Sequence, residues 1–523
     1  MAGCGSFHAF EHDNICTALT VKGTVVDADD NEPLPGVTII EKGTTNGTVT
    51  DIDGNYTLTV AENAYLVFSF IGYESHEVLA TSNQINISLT IKSEMLDEVL
   101  VIGYGVQKKS DKTGAVSHVD AAELNTGRVT DPIKGIQGKA AGVLVSKKGG
   151  DPNSGYSVKI RGQSGLGAGT NPLYVVDGIP GVDPTTIAPE DIESFNVLKD
   201  ASSTAIYGAR GANGVILITT KKPQVTGSGK KVNNVEFNSY LSMDRVANRL
   251  DLLTADQMRD YVNSNPEINF IDGEANTNWQ DEIYQNGISQ SYNIAFSGAD
   301  ENSSYRASVT HADFNGVIKG TDKIRTNALL NVTQKSFEDK LSLNAGMGIT
   351  IEHNDYVKYD GGMDSKNVLY QAFQRNPTDP VYTETGGYYE IQRDFNYWNP
   401  VAIINNIQNN RDAKRIRGNL NANYEIIQGL KAGITLGYIR DDHESFYFEP
   451  TYLASNPEGF AKREYKNFES KLLEATIGYD NSFGFHNLGL VGGYSWQEDI
   501  NTEFYARVET PNQILFNRTI WEP

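Results

Sequence analysis

Residues 341–351 constrain this chain more than any other stretch. Leu341, Leu343, Ala345, Met347, Ile349 and Ile351 alternate with Ser342, Asn344, Gly346, Gly348 and Thr350. Successive side chains of a strand point to opposite faces, so a period of two produces one apolar face and one polar face. Similar alternation runs through Tyr292 to Phe296, Tyr305 to Val309, Leu420 to Ile426, Leu430 to Tyr438, Leu473 to Tyr479 and Leu488 to Tyr494. Several of these end in tyrosine, as an aromatic girdle at a membrane interface requires. A strand that crosses a bilayer needs about 9–11 residues, which 341–351 supplies. The sequence has no run of 18 or more apolar residues for a spanning helix, and barrel strands escape that test because only alternate residues face lipid.

The connections sharpen the reading. Short turns are predicted at Ser297 to Ser304, Thr333 to Lys340, Ile427 to Gly429 and Asp480 to Asn487, and long links at 352–411 and 440–467. Short turns at one end and long loops at the other mark a transmembrane barrel, whereas a soluble sandwich rarely tolerates so long a connection.

Two compact units precede the alternating strands. Residues 20–91 hold short β-rich runs, from Val21 to Val26 and Pro33 to Ile40 onward, separated by turn signals at Asp27 to Glu32, Lys42-Gly43, Asp51 to Gly54 and Gly72. That spacing predicts a small all-β sandwich. Asp51, Asp53 and Asn55 resemble the start of a calcium loop, but the distal glutamate is absent and a hairpin turn is expected instead. In residues 107–222, Leu173 to Val176 reads as a strand closed by an Asp177-Gly178 turn, and Ile192, Phe195 and Leu198 predict a short helix over 191–200. Gly208, Gly211 and Gly214 predict a tight turn before a strand at Val215 to Thr219. Arg161-Gly162 and Arg210-Gly211 set guanidinium groups beside flexible backbone.

Composition excludes several classes. Fifty glycines and 27 tyrosines with only two cysteines describe a turn-rich β protein that is not a disulfide scaffold. A formal net charge of −22 argues against a nucleic-acid partner. His76-Glu77 and His443-Glu444 lack the second histidine of a zinc helix, and Gly162-Gln163-Ser164-Gly165 misses the nucleophile-elbow spacing. Gly165 to Gly169 is a flexible loop, and the pairs Asp29-Asp30 and Asp441-Asp442 read as solvated. The expectation is therefore no catalytic residue, no metal and no cofactor. Within 352–411, Tyr388, Tyr389, Tyr397 and Trp398 are candidate ligand-binding residues among many amides; stacking on a ligand and packing of the loop's own core both stay open.

The string NPLYVVDGIPGVDPTTIAPEDIESFNVLKDASSTAIYGARGANGVILITTKK at 171–222 resembles the plug of SusC/RagA-like TonB-dependent outer-membrane transporters. Residues 20–91, with Gly47 to Tyr56 as hallmark, resemble the carboxypeptidase-regulatory-like domain that precedes such plugs. The resemblance implies a mainly β fold: a leader at 1–19, a carboxypeptidase-regulatory-like β-sandwich at 20–91, and a linker with a TonB box at 92–106. An α+β plug at 107–222 and the first part of a transmembrane antiparallel β-barrel at 223–523 complete it. The TonB box falls on Asp97, Glu98, Val99, Leu100, Val101, Ile102 and Gly103, an extended, β-prone segment that can add as a strand to a partner sheet. Arg161, Gly162, Asp177, Gly178, Arg210, Gly211 and Gly214 become structural plug residues, with the arginines expected to pair with carboxylates of the barrel wall.

Active import of oligosaccharides or peptides follows from the resemblance, with TonB and its inner-membrane energising complex, a SusD-like surface lipoprotein and outer-membrane lipid as partners. The location implied is the cell outer membrane, with the sandwich and TonB box on the periplasmic side. Residues 1–19 show no export signal, and the strand count reached at Pro523 is that of a partial barrel, so a fragment or truncated gene product is expected. The competing classes are a surface-exposed glycan-binding protein or adhesin without transport, and a hydrolase carrying a regulatory sandwich.

Overall fold

The computed structural model describes residues 18–509 apart from 29–31, 45, 71–72, 74, 91–98, 103–104, 109–115, 125–130, 148, 163–169, 223–231, 363–364, 392–395 and 484–485. The chain divides into two compact units, 1–101 with 106–112 and 102–105 with 113–523.

In the first unit, seven strands form two sheets. These are β1 (Ala18–Asp27), β2 (Thr38–Glu41), β3 (Gly47–Val49), β4 (Asn55–Ala61), β5 (Tyr65–Ser69), β6 (His76–Leu79) and β7 (Ile87–Leu89). One sheet has the order β4-β1-β7 and the other β3-β2-β5-β6. Strict alternation in β4 buries Tyr56, Leu58 and Val60, and these meet Ile39, Leu66 and Phe68 of the facing sheet. The Tyr56 ring packs edge-on against Phe68 at 5.4 Å. Asp51 Oδ1 accepts the backbone N–H groups of Asp53 (3.0 Å) and Asn55 (2.8 Å), so this carboxylate closes a turn, as its sequence context implies. Expressed alone, residues 20–91 should give a soluble, cooperatively unfolding all-β domain. Phe68→Ala should cost it about 3–5 kcal/mol, checked by denaturant titration; a random-coil amide spectrum of the wild-type segment would refute the boundary.

A separate two-stranded sheet of β8 (Val99–Ile102) and β9 (Gly105–Lys108) follows. The next sheet has the order β10-β15-β16-β13-β14. Its strands are β10 (Val116–Asp120), β13 (Leu173–Val176), β14 (Ile179–Pro180), β15 (Ile192–Leu198) and β16 (Val215–Thr220), and β11 (Val143–Lys147) pairs with β12 (Tyr156–Ile160) beside it. Asp177 and Gly178 both have positive φ (49° and 91°), the two-residue hairpin turn expected from the sequence. Helix α1 spans Ala201–Thr204.

One expectation fails here. Residues 192–198 are a strand, not a helix. β15 lies between β10 and β16, and Ile192, Phe195, Val197 and Leu198 are all buried. A strand covered on both faces carries apolar residues without strict alternation, so a spacing of three arises by coincidence.

Among the described residues from Val232 on, nine antiparallel strands pair in sequence order: β17 (Val232–Asp244), β18 (Gly287–Ala299), β19 (Ser303–Asn315), β20 (Asp322–Ser336), β21 (Leu341–Asp355), β22 (Gln408–Ile427), β23 (Leu430–Glu449), β24 (Phe460–Phe483) and β25 (His486–Glu509). The short turns fall where the sequence places them; in one, Asp300 Oδ1 accepts the N–H groups of Asn302 and Ser303. The long link at 440–467 does not exist as such, because β23 and β24 run on to Glu449 and back from Phe460. Their extensions hold by polar cross-strand contacts instead of alternating apolar residues: Tyr465 and Asn467 donate to Asp442 Oδ1 (2.6 and 2.7 Å), and Arg463 Nε donates to Glu444 (2.6 Å). The other long link contracts to 356–407.

A second long connection, 245–286, escaped the sequence reading. It carries α2 (Ala255–Ser264) and α3 (Trp279–Ile283), while 356–407 carries α4 (Val368–Gln374) and α5 (Pro400–Asn406). Each begins on an N-cap side chain that accepts a backbone N–H: Thr254, Asn278, Asn367 and Asn399. The two connections share one core of Trp279, Ile283, Ala372 and Val401.

Candidate functional site

The nine-stranded sheet is amphipathic in the reverse of the soluble sense. Along β18, Ser289, Ser291 and Asn293 are buried while Ile288, Tyr292, Ile294 and Phe296 are exposed. Along β20, Lys323, Arg325, Asn327 and Asn331 are buried while Ile324, Leu330 and Val332 are exposed. Water would leave such an outer face uncovered, whereas lipid satisfies it, and the polar face then needs a polar partner inside.

That partner is the unit built from β10–β16. Asp191, 2% exposed, receives Arg306 Nη2 at 3.2 Å and Nε at 3.4 Å on one oxygen and Ser308 Oγ at 2.6 Å on the other. Arg306 also reaches Glu236 of β17 at 3.3 Å. Asp177, at the hairpin turn, takes Thr220 N–H (3.0 Å), Thr220 Oγ1 (2.9 Å) and Arg417 Nη1 (3.4 Å). Asp183 faces Arg415 at 3.8 Å, and Arg415 also donates to Asp441 at 3.0 Å and lies 3.7 Å from Glu352.

Backbone carbonyls complete the seam. Thr186 O accepts from Asn327 (2.9 Å) and Thr350 (3.1 Å), and Thr185 O accepts from Arg325 (3.2 Å). Asn331 Nδ2 donates to Thr220 Oγ1 at 2.8 Å. Toward the long-loop end, Asn153 Nδ2 donates to the carbonyls of Asp322 (3.1 Å) and Asp355 (2.7 Å). Burial pushes the Asp131 carboxyl upward, partly offset by the Ile133 N–H it accepts, and burial likewise raises Glu190.

The polarity of the clamp is opposite to the expected one. Arg161 pairs with Asp200 of its own unit, and Arg210 donates to the amide oxygen of Gln497 on β25, so neither meets a wall carboxylate. The carboxylates sit on the inner unit and the arginines on the wall. The reason is local: both Arg161 and Arg210 are exposed, whereas Asp177 and Asp191 are buried where the chain turns toward the sheet. Arg306, Arg325, Arg415 and Arg417 were missed as site residues. Their signal is an arginine at the polar position of an alternating strand, which a lumen-facing residue with a fixed partner would produce.

The remaining plug residues lie as follows. Gly162, Gly178 and Gly214 have positive φ. Gly211 has none, but a Cβ there would stand 2.8 Å from Thr204 O, so close backbone approach explains it. Of the residues expected to form a TonB box, Val99 to Ile102 form β8, and Asp97, Glu98 and Gly103 lie outside the described residues. So do Cys4, Cys16 and the loop Gly165 to Gly169.

The four loop aromatics are divided. Tyr397 is 5% exposed; its hydroxyl donates to Asp379 (2.8 Å) and accepts from Asn376 N–H (2.6 Å), and burial raises its pKa. Its ring and that of Trp279 bracket the Arg375 guanidinium at 4.8 and 5.0 Å. Trp398 packs against the buried cluster of Ile318, Val368 and Ile403. Tyr388 and Tyr389 are half-buried, with Tyr388 against the Tyr382 ring at 5.4 Å. A wide opening lies between Lys134, Lys147 and Tyr156 of the inner unit and Arg245, Tyr284 and Tyr359 near the long loops. Aromatic faces and both signs of charge meet there, the composition of a polar-ligand pocket.

Comparison with known proteins gives this geometry its context. Residues 21–101 match the CarboxypepD_reg-like domain and residues 108–215 the TonB-dependent Receptor Plug Domain. The TonB-dependent receptor P3 of Formosa agariphila is 38% identical over 494 residues, 93% of this chain and 48% of the relative. The TonB-dependent receptor SusC of Bacteroides thetaiotaomicron is 38% identical over 395 residues, 72% of this chain and 38% of the relative. The chain thus spans about half, or less, of the length of the curated relatives it matches. The RagAB peptide importer in its open-open state shares the fold, with a TM-score of 0.69 at 23% identity over 80% of this chain and 51% of that one. A plug domain clamped against a lipid-facing antiparallel sheet, preceded in the chain by a carboxypeptidase-regulatory-like sandwich, places the chain among the SusC/RagA-like TonB-dependent receptors of the outer membrane, the family to which it belongs.

Proposed function

We propose that this chain is part of an active importer of oligosaccharides or peptides, driven by TonB and covered by a SusD-like surface lipoprotein. The observation that carries the reading is the buried carboxylate–arginine seam between plug and wall, centred on Asp191 and Arg306. A plug held to the wall by directional charge contacts, beside the apolar contact of Ile439 and Phe468 with its core, stays closed at rest and releases when work is done on it. The RagAB peptide importer shares the fold, which supports a peptide among the candidate cargoes. The opening beside Lys147, Tyr156 and Tyr359 is the proposed first contact for that solute, and Asp97 to Gly103 the proposed TonB contact.

The test is deletion of the gene in its own host, followed by uptake of labelled oligosaccharides and peptides. One solute class should cease to accumulate in the deletion strain. In wild-type cells a protonophore should abolish accumulation of that solute while leaving its surface binding intact. Accumulation unaffected by the protonophore would refute active import and favour a binding protein.

A further inference from the structure

Among the described residues of the nine wall strands, the buried cations are Arg306, Lys323, Arg325, Arg415 and Arg417. The buried carboxylates there are Glu352 and Glu449, and Glu449 is taken by Lys366 of the long connection. Glu236 and Asp441 add half-buried carboxylates beside the strip, and Arg411 a half-buried cation. The strip is continuous across β20, β21 and β22: Arg325 stands opposite Glu352, and Thr350 and Gly348 stand opposite Arg415 and Arg417. Gly348 leaves room for the longer side chain, since a Cβ there would stand 2.7 Å from Arg417 Nε. Arg325 Nε and Arg417 Nε are buried donors with no acceptor among the described residues. Buried donors are normally spent, so these two keep capacity for another anion.

At rest the plug covers the strip with carboxylates. Asp191 meets Arg306 at 3.2 Å, Asp177 meets Arg417 at 3.4 Å and Asp183 faces Arg415 at 3.8 Å. In a chain of formal net charge −22, a wall strip richer in cations than in carboxylates does not follow from composition. The opening above the plug carries the same sign, with Lys134, Lys147 and Arg245 set against Asp151 and Asp244.

We propose that the cargo is an acidic oligomer bearing several carboxylates, and that the wall strip from Lys323 to Arg417 is the track it follows once the plug gives way. The proposal rests on the reading of the chain as an importer whose plug releases, and adds to it the charge of the solute. The plug aspartates hold at rest the places that cargo carboxylates take in transit. When the plug moves off, its negative charge leaves with it and the wall is left with an excess of guanidinium and ammonium groups. Such a lining concentrates anions, and a guanidinium matches a carboxylate in shape as well as charge.

The experiment measures uptake by the full-length receptor in its own host. Labelled uronic acid oligomers are compared with their methyl esters, and glutamate-rich peptides with their glutamine counterparts, so the two pairs distinguish a saccharide from a peptide source. In one pair the acidic member should accumulate at least about tenfold more than the neutral one. Neutral members that accumulate as well as acidic ones, with a protonophore abolishing both, would overturn the charge assignment and leave active import standing. Accumulation that ignores the protonophore would instead refute import. Lys323→Gln leaves Glu352 paired with Arg411 and Arg415. It should cut uptake of an oligomer with four carboxylates at least about threefold and that of a one-carboxylate oligomer of equal length far less, with Lys323→Arg restoring both. Equal losses for the two oligomers would make Lys323 a support of the wall only and overturn the track. Arg245→Gln, at the exposed entrance, should weaken surface binding of the acidic oligomer most at low salt. Unchanged binding at low salt would overturn the charge assignment at the opening.

Discussion

Replacing Arg306 by methionine in the full-length receptor should weaken the seating of the plug by about 3–5 kcal/mol, the cost of leaving a buried charge without its partner. Asp191 is 2% exposed and would keep only Ser308 Oγ, at 2.6 Å, of its wall contacts. Glu236 would lose its arginine as well. The expected phenotype is a leaky channel: cells become sensitive to antibiotics too large for porins, and the plug is cleaved by protease added to purified receptor. Asp191→Leu combined with Arg306→Met should leak less than Arg306→Met alone, because the fully buried Asp191 charge is removed with its partner and only the partly exposed Glu236 is left without its arginine. If the single variant is as tight as wild type, or the double variant is the leakier of the two, the Asp191–Arg306 contact does not hold the plug.

A double variant with Val99→Pro and Val101→Pro should stop uptake while ligand still binds at the cell surface. Proline supplies no N–H and its ring obstructs pairing, so two prolines in β8 remove two of the main-chain donors that strand addition would use. The opening beside Lys147 and Tyr156 lies in the plug and wall loops and is untouched by these changes. Uptake should fall to the level of the gene deletion, at least about tenfold, given that strand addition draws its grip from the main chain. Normal uptake by a variant with confirmed surface expression would exclude these residues as the TonB contact.

Much of this architecture could be read before any coordinate was known. The period of two from Leu341 to Ile351 is a strand whatever surrounds it, since side-chain alternation follows from backbone geometry alone. The Asp177-Gly178 turn and the turn at Asp51 to Asn55 are equally local, because the residues that favour those dihedrals are the residues present. The wording of 171–222 carried the family.

Other features depended on partners distant in the chain. Whether Ile192 to Leu198 became helix or strand was settled by Val116–Asp120 and Val215–Thr220 on its two sides, and no periodicity within seven residues contains them. The long-loop aromatics looked equivalent in sequence, yet Tyr397 is buried over Arg375 because the 245–286 connection, with Trp279, packs against it.

The sequence by itself determined the alternating strands and the short turns, which rest on interactions within a few residues, and the order of the units. The tertiary structure alone decided the polarity of the seam. Charge partners such as Asp191 and Arg306 stand 115 residues apart and meet only when the plug lies against the wall. Once water is excluded there, a carboxylate is stable only opposite a cation, and which body carries which sign depends on the side chains each turns toward the other.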